Sequence, residues 1–306
     1  MLPLVILDGV SQPLTDYHQH LFSPAIVKRS PGTETIAADD LVALLDSAGI
    51  RRAVILSVAY QFSNPNKPPV ENEYAQVKAE NDWTSQQVAR YPDRLRGFCG
   101  VNPLKEYAIE EIGRCSKDPR LRTGLKLHFG NSDVDLDDPR HVARVRAVFR
   151  AANDHGMAIV VHMHPSVNRH RPYGAAEART FLSEVLPAAP DVAVQIAHLA
   201  GAGGYDDPGD DEALGVFVDA IAKQDARMKH VYFDVSGVAG LGDWTKKASL
   251  IAARIRQVGV ARILFGSDGA GAGNMTPREA WAAFRKLPLS DAEIHAVESN
   301  VAPYMK

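Results

Sequence analysis

The sequence predicts an α/β protein built as a single-domain (β/α)8 TIM barrel, and three observations predict it. Short β-branched runs alternate with helix-period segments from end to end, the pattern of repeated βα units around a parallel sheet. Roughly eight such units can be counted, and 306 residues suit one large barrel. Histidine and aspartate, moreover, close several of the apolar runs, where the strands of a barrel would converge on one mouth.

Taken in order, the expected strands are Leu14 to His20, Arg52 to Val58, Leu95 to Val101, Gly124 to His128, Ala158 to His164, Val192 to His198, Val231 to Val235 and Arg262 to Asp268. Most are continuously apolar, as strands buried on both faces require. Between them lie amphipathic stretches, Leu41 to Ala48, Tyr74 to Arg90, His141 to His155, Ala175 to Leu186, Ala213 to Ala226 and Leu250 to Val258, which would form the outer ring. Past the last strand, Thr276 with Pro277 and Glu279, then Ser290 with Glu293, match capping boxes and start two closing helices. Loops rich in Pro, Gly, Asn and Asp follow several strands, at Gln61 to Pro69, Pro165 to Pro172 and Gly201 to Gly209. With no repeat, low-complexity tract or linker, residues 1–306 read as one domain, with strands inside 14–268 and closing helices over 276–306.

A net charge of -3 supplies no broad positive field, which argues against nucleic acid as a partner. No apolar run is long enough to span a bilayer, so no membrane partner is expected either. The expected partner is a small-molecule substrate, and assembly into a homo-oligomer stays open. Cys99 and Cys115 form neither a disulfide framework nor a zinc-finger spacing, and reduced thiols in a cytoplasmic protein are the expectation. The apolar opening Met1 to Val10 lacks a basic segment and a small-residue cleavage site, so it does not read as a signal peptide.

The first strand ends in Asp16-Tyr17-His18-Gln19-His20, and alternation turns His18 and His20 to the same side. About 0.4 such pairs are expected by chance from eleven histidines in 306 residues, so this pair alone carries little. A second pair, His162 and His164, closes the fifth strand; His198 closes the sixth and Asp268 the eighth. Any one of them could merely cap a helix, but the ordered set places imidazoles and a carboxylate around a single mouth. Such ligands suit Zn²⁺, and also Mn²⁺ or Fe²⁺, so a divalent metal is implied.

With these residues in view, the chain resembles the amidohydrolase-related (amidohydrolase 2) branch of the amidohydrolase superfamily. The resemblance rests on "DYHQH" at the first strand, "GLKLH" at the fourth, "IVVHMH" at the fifth, "IAHLAG" at the sixth and "ILFGSD" at the eighth, with Asn300 of "ESNVAPYM" at a terminal Asn motif. It spans nearly the whole chain from Leu14. It implies that His18, His20, His162 and Asp268 bind one metal ion, most simply Zn²⁺, with His198 beside it. Superfamily members with two metals use a carboxylated lysine on the fourth strand, near Lys126; in this branch that lysine is an ordinary site residue, and one metal is expected. His164 departs from the family pattern, where a small residue is common, and is expected to contact substrate.

The activity expected first is hydrolysis of an ester, lactone or amide of a small carboxylic or aromatic substrate. A divalent metal lowers the pKa of bound water from about 15.7 toward 7, Asp268 would take its proton, and His198 would help to stabilise the oxyanion. The family also contains metal-dependent nonoxidative decarboxylases with the same ligands, and that is the alternative; a non-catalytic small-molecule binding protein is a third reading. Lys126, His128, His164 and Arg171 are the expected substrate contacts. Arg171 belongs to a basic cluster with Arg169 and His170 that could hold a carboxylate. Tyr17, Trp83 and Trp244 would line the pocket or simply pack. The "GAGG" of Gly201, Gly203 and Gly204 lacks the lysine of a phosphate loop and reads as a flexible turn.

Overall fold

Alternation along each strand sorts its side chains between two environments, and that sorting makes the barrel wall. The structure is a computed structural model that describes residues 12–30, 32–165, 171–269 and 274–306. Its strands are β1 (Thr15–Gln19), β2 (Arg52–Leu56), β3 (Leu95–Gly100), β4 (Gly124–His128), β5 (Ala158–His162), β6 (Val194–Ile196), β7 (Val231–Asp234) and β8 (Ile263–Leu264). All pair in parallel in the order β1 to β8. Backbone bonds between β1 and the chain leaving β8 bring the ends of the sheet together: Tyr17 N–H donates to Phe265 O at 2.8 Å and Asp268 N–H to His18 O at 2.8 Å. The expected (β/α)8 barrel is therefore the fold.

The helices, in chain order, are α1 (Pro24–Arg29), α2 (Ala38–Ala48), α3 (Glu73–Ala89), α4 (Ala108–Cys115), α5 (Phe129–Ser132), α6 (Pro139–Asp154), α7 (Ala175–Thr180), α8 (Pro208–Ala222), α9 (Trp244–Val258), α10 (Pro277–Phe284) and α11 (Asp291–Ser299). α6 and α8 begin earlier than the apolar period suggests, because Asp138 and Asp207 cap them and Pro139 and Pro208 fit the first turn. Both capping boxes, Thr276 with Glu279 and Ser290 with Glu293, form as expected. α7 continues as π-helical turns over Phe181–Val185 instead of a regular helix to Leu186.

Ala53, Ile55, Leu125, Leu127, Ile159, Val161, Val194, Ile196 and Phe233 face outward and share one apolar layer with the helices. Trp83 and Trp244 pack against this outer layer, so neither lines the mouth. Val54, Leu56, Phe98, Val160 and Leu264 fill the barrel interior. Phe98 lies where a side chain on Gly124 would be: a Cβ there would fall 2.0 Å from its ring. Tyr17 joins this interior, its hydroxyl donating to Asn300 O and accepting from Ala302 N–H, which places it on the floor and away from the mouth. Asn300 donates to Val260 O and Ile263 O, both at 2.7 Å, and so ties the closing segment to β8.

The cysteines depart from expectation. Cys99 on β3 and Cys115 at the end of α4 are joined in a disulfide, their Cα atoms 6.1 Å apart. Sixteen residues separate them in sequence; the return of α4 onto β3 brings them within bridging reach. The thiol argument for a cytoplasmic setting is thereby removed. Among the described residues, no helix is long and apolar enough to cross a membrane.

Glu80 on α3 is buried at 2% exposure; Ser23 Oγ donates to its Oε2 at 2.5 Å, while Oε1 has no partner among the described residues. Burial pushes its carboxyl up to about 7, from 4.5, against the pull of Ser23. Between those values the native state keeps a proton that the unfolded chain has lost, so this group's contribution to stability falls as pH rises through the window and is flat above it. Glu80→Gln should remove the decline, improving stability at pH 8 relative to pH 5 by on the order of 3 kcal/mol at most. Urea midpoints of both proteins at the two pH values are the measurement; a difference that does not change with pH would contradict it.

Candidate active site at the carboxyl ends of the strands

The site begins with an irregularity in β1. Its pairing with β2 slips by one residue between Asp16 and Gln19, a bulge that re-phases the strand. Asp16 accepts from His18 N–H at 3.1 Å, Gln19 Nε2 at 2.7 Å, and Ser267 N–H and Oγ at 3.0 and 2.6 Å. Burial raises its carboxyl to about 6 in spite of these bonds. The bulge leaves Tyr17 in the interior and still brings His18 and His20 together, their rings 5.3 Å apart.

Each of three histidines has one ring nitrogen committed. His18 Nδ1 donates to Asp234 Oδ2 at 3.0 Å, His20 Nδ1 to Leu56 O at 2.7 Å, and His198 Nδ1 to Ser236 O at 2.8 Å. Those acceptors fix the tautomers and leave Nε2 of each ring unprotonated, the way metal-ligating imidazoles are usually oriented, and at His18 that lone pair accepts from Lys126. Burial keeps all three neutral, with His18 held down to about 3 by burial and by the neighbouring Lys126.

His18, His20 and Asp268 bring ligand atoms within 4.8 Å of one another, His20 Nε2 lying 3.6 Å from Asp268 Oδ1. His162 is not in that group: its ring stacks on His128 at 4.0 Å and stands 4.9 Å from His198. Among the described residues its Nε2 is buried without a hydrogen-bond partner. His198 groups with His18 and Asp234, its ring 4.8 Å from His18. The backbone is left-handed at His198, Leu199, Ala200 and Asp268, which ends β6 and β8 earlier than the sequence suggests and turns these residues out of the ladder.

Lys126 on β4 is 1% exposed and donates to His18 Nε2 at 3.1 Å. Burial lowers it to about 8, opposed by Asp268 and Asp234. Asp268 is raised to about 7 by burial, against Lys126, and its side chain keeps 27% of its surface exposed, the most open of its group. His128 accepts from Asn131 N–H at 3.2 Å and lies 5.4 Å from the Tyr60 ring.

Two expected substrate contacts have carboxylate partners of their own. Arg171 pairs with Asp133 and Asp135, both at 2.8 Å, in a cleft shared with Phe129, Leu136 and Met163 of the outer layer. His164 faces Asp207 at 3.4 Å. Arg169 and His170 lie outside the described residues.

Sequence reasoning missed Asp234. It ends an apolar run as Asp268 does, and that was the available signal. Burial opposes its charge, but His18, the N–H groups of His198 and Ser236, Ser236 Oγ and Gln195 Nε2 at 2.7 Å hold its carboxyl well below the usual range. Gln195 in turn accepts from the Tyr304 hydroxyl, so a buried chain of hydrogen bonds runs from the floor to His18.

Solved structures of similar shape include 5-carboxyvanillate decarboxylase from Sphingomonas paucimobilis, 17% identical over 94% of this chain and 97% of that one, with a TM-score of 0.62. A 2,6-dihydroxybenzoate decarboxylase from Rhizobium is 16% identical over 94% and 96%, TM-score 0.63. A dihydroxybenzoic acid decarboxylase from a Polaromonas species, solved with manganese and 2-nitroresorcinol, is 15% identical over 94% and 95%, TM-score 0.62. Identities this low establish the shared fold alone. None of the curated proteins matches in sequence. The amidohydrolase family model, however, matches residues 15–300, from the first barrel strand to the terminal asparagine, and the chain belongs to the amidohydrolase 2 family of that superfamily.

Proposed function

We propose that this chain is a divalent-metal-dependent enzyme that removes CO2 nonoxidatively from a small aromatic or enoic acid. His18, His20, His162 and Asp268 are the proposed ligands, with His198 beside them and Lys126 and His128 toward the substrate. The residues fit such an ion. His162 Nε2 is a buried nitrogen with no partner among the described residues, and at His18 Nε2 the Lys126 ammonium stands where a cation's charge would be. Three imidazoles and a carboxylate suit Zn²⁺, and manganese in one similar structure makes Mn²⁺ equally fitting.

The observation that carries the reading is Lys126. It is buried, and among the described residues no carboxylate lies within ion-pair distance of Nζ. A cation on His18 would take away its one acceptor, leaving a buried ammonium that needs an anion. A substrate carboxylate answers that need, whereas a neutral ester or amide does not. This, with the decarboxylases among the similar structures, favours the lyase over the hydrolase expected first.

When bound, the ion would act as a Lewis acid toward negative charge on the substrate. Lys126 holds the carboxylate through charge-assisted hydrogen bonds. The stacked His128 and His162 rings, with Tyr60, offer a flat wall. As the carbon–carboxyl bond breaks, its electron pair stays on the carbon, CO2 departs, and Asp268 gives that carbon a proton. Asp268 is open enough to recover one from solvent.

A panel of hydroxybenzoic and enoic acids in D2O with Mn²⁺ or Zn²⁺ tests the reaction. Released CO2 and one deuterium on the product carbon are expected; hydrolysis of esters or lactones with ¹⁸O uptake from labelled water, and no CO2 from any acid, would overturn the reading. On a confirmed substrate, Asp268→Asn should lower kcat by on the order of 10²-fold or more with metal retained, since an amide cannot donate that proton. A metal-loaded variant within threefold of wild type excludes Asp268 as the donor. Asp234→Asn should weaken metal affinity roughly 10- to 100-fold by loosening the His18 tautomer; competition with a chelator measures it.

A further inference from the structure

Outside the strand-end cluster, His164, Asp207 and Asp210 bring one ligand atom each within 4.8 Å of one another. His164 lies two residues past the end of β5, Asp207 is the N-cap of α8, and Asp210 lies in its first turn. The geometry is fixed from several sides. Asp207 Oδ1 accepts from Gly209 N–H at 2.8 Å, which leaves Oδ2 facing His164 Nε2 at 3.4 Å. The Tyr173 ring packs on His164 at 4.7 Å, and its hydroxyl donates to Ala200 O. Asp210 seats against Gly201, where a Cβ would fall 2.6 Å from Oδ2.

An independent observation points to a ligand. Asp210 is 2% exposed, and among the described residues its Oδ1 is buried without a hydrogen-bond partner. Leaving such atoms unpaired costs more than a typical hydrogen bond contributes. Among the described residues no lysine or arginine pairs with Asp207 or Asp210, and His164 is the one basic side chain against Asp207. Two carboxylates and an imidazole with no lysine or arginine paired to the carboxylates among the described residues are a cation's donor set; one nitrogen and two oxygens suit Mn²⁺, Fe²⁺ or Zn²⁺.

We propose that His164, Asp207 and Asp210 form a second divalent-cation site at the mouth of the barrel, separate from the His18, His20 and Asp268 cluster. The inference stands whatever reaction the strand-end site performs. It gives His164 a role as ligand, in place of the substrate contact expected from sequence. It also differs from a binuclear centre bridged by Lys126, because none of its ligands is shared with the strand-end cluster.

The test uses the whole chain, stripped of metal with a chelator and titrated with MnCl2 while free Mn²⁺ is followed by electron paramagnetic resonance. Wild type should take up two equivalents. Asp207→Asn with Asp210→Asn should lose one of them or bind it at least tenfold more weakly, and His164→Gln should do the same should the double variant unfold. His20→Ala should lose the other and keep the one that depends on Asp207. Asparagine retains the cap of α8, so circular dichroism should be unchanged. A single equivalent in wild type that the Asp207, Asp210 and His164 variants all leave intact overturns the proposal. So does a second equivalent lost in Lys126→Met but unaffected by those three. Loss in the Asp207 variants with none in His20→Ala would support this site and count instead against the strand-end one.

Discussion

Everything at the mouth depends on the seam between the first strand and the chain leaving the last. Two backbone hydrogen bonds cross it, Tyr17 to Phe265 and Asp268 to His18, and the second joins two residues of the proposed metal cluster directly. Asp16 adds a side-chain clamp by holding both the N–H and the hydroxyl of Ser267. Gly266 shows how close the approach is, since a Cβ there would fall 2.7 Å from the Cβ of His18. Contacts between positions some 250 residues apart repay their loop-closure entropy only when the intervening wall is already in register. The site is thus a product of barrel closure more than of any local motif.

That dependence explains what could and could not be read from the sequence. Strand exits were legible because a polar residue ending a buried apolar run is conspicuous: His18, His20, His162, His198 and Asp268 all lie at or just beyond strand ends. Their mutual distances were not, since these follow from register and closure. Alternation correctly paired His18 with His20 but gave no hint of the bulge that lets Tyr17 face inward beside them. Arg171 looked available in a loop, and only the folded chain brings Asp133 and Asp135 to it. The disulfide was invisible for the same reason, because two cysteines reveal their reach only once strand and helix have packed.

The barrel also divides its interior into two chemistries. Below, Phe98, Val160 and Tyr17 make an apolar floor that contributes stability by removing hydrocarbon from water. Above, Asp234, Lys126 and the histidines are buried polar groups, His162 Nε2 without a partner among the described residues, and His198, Leu199, Ala200 and Asp268 adopt left-handed backbone. Such an upper layer costs stability that the floor and the outer layer must offset, a common division where a site is held ready for a ligand.

The chain of bonds from Tyr304 through Gln195 and Asp234 to His18 has a consequence for how the protein is made. Tyr304, Met305 and Ala302 complete the floor, yet they follow every strand of the wall in sequence. A ribosome therefore delivers the walls before the base. While those residues are still inside the exit tunnel, the barrel above is open at its bottom and Gln195 lacks its tyrosine. A nascent chain would thus carry the histidines of its walls before the floor that buttresses them has been made.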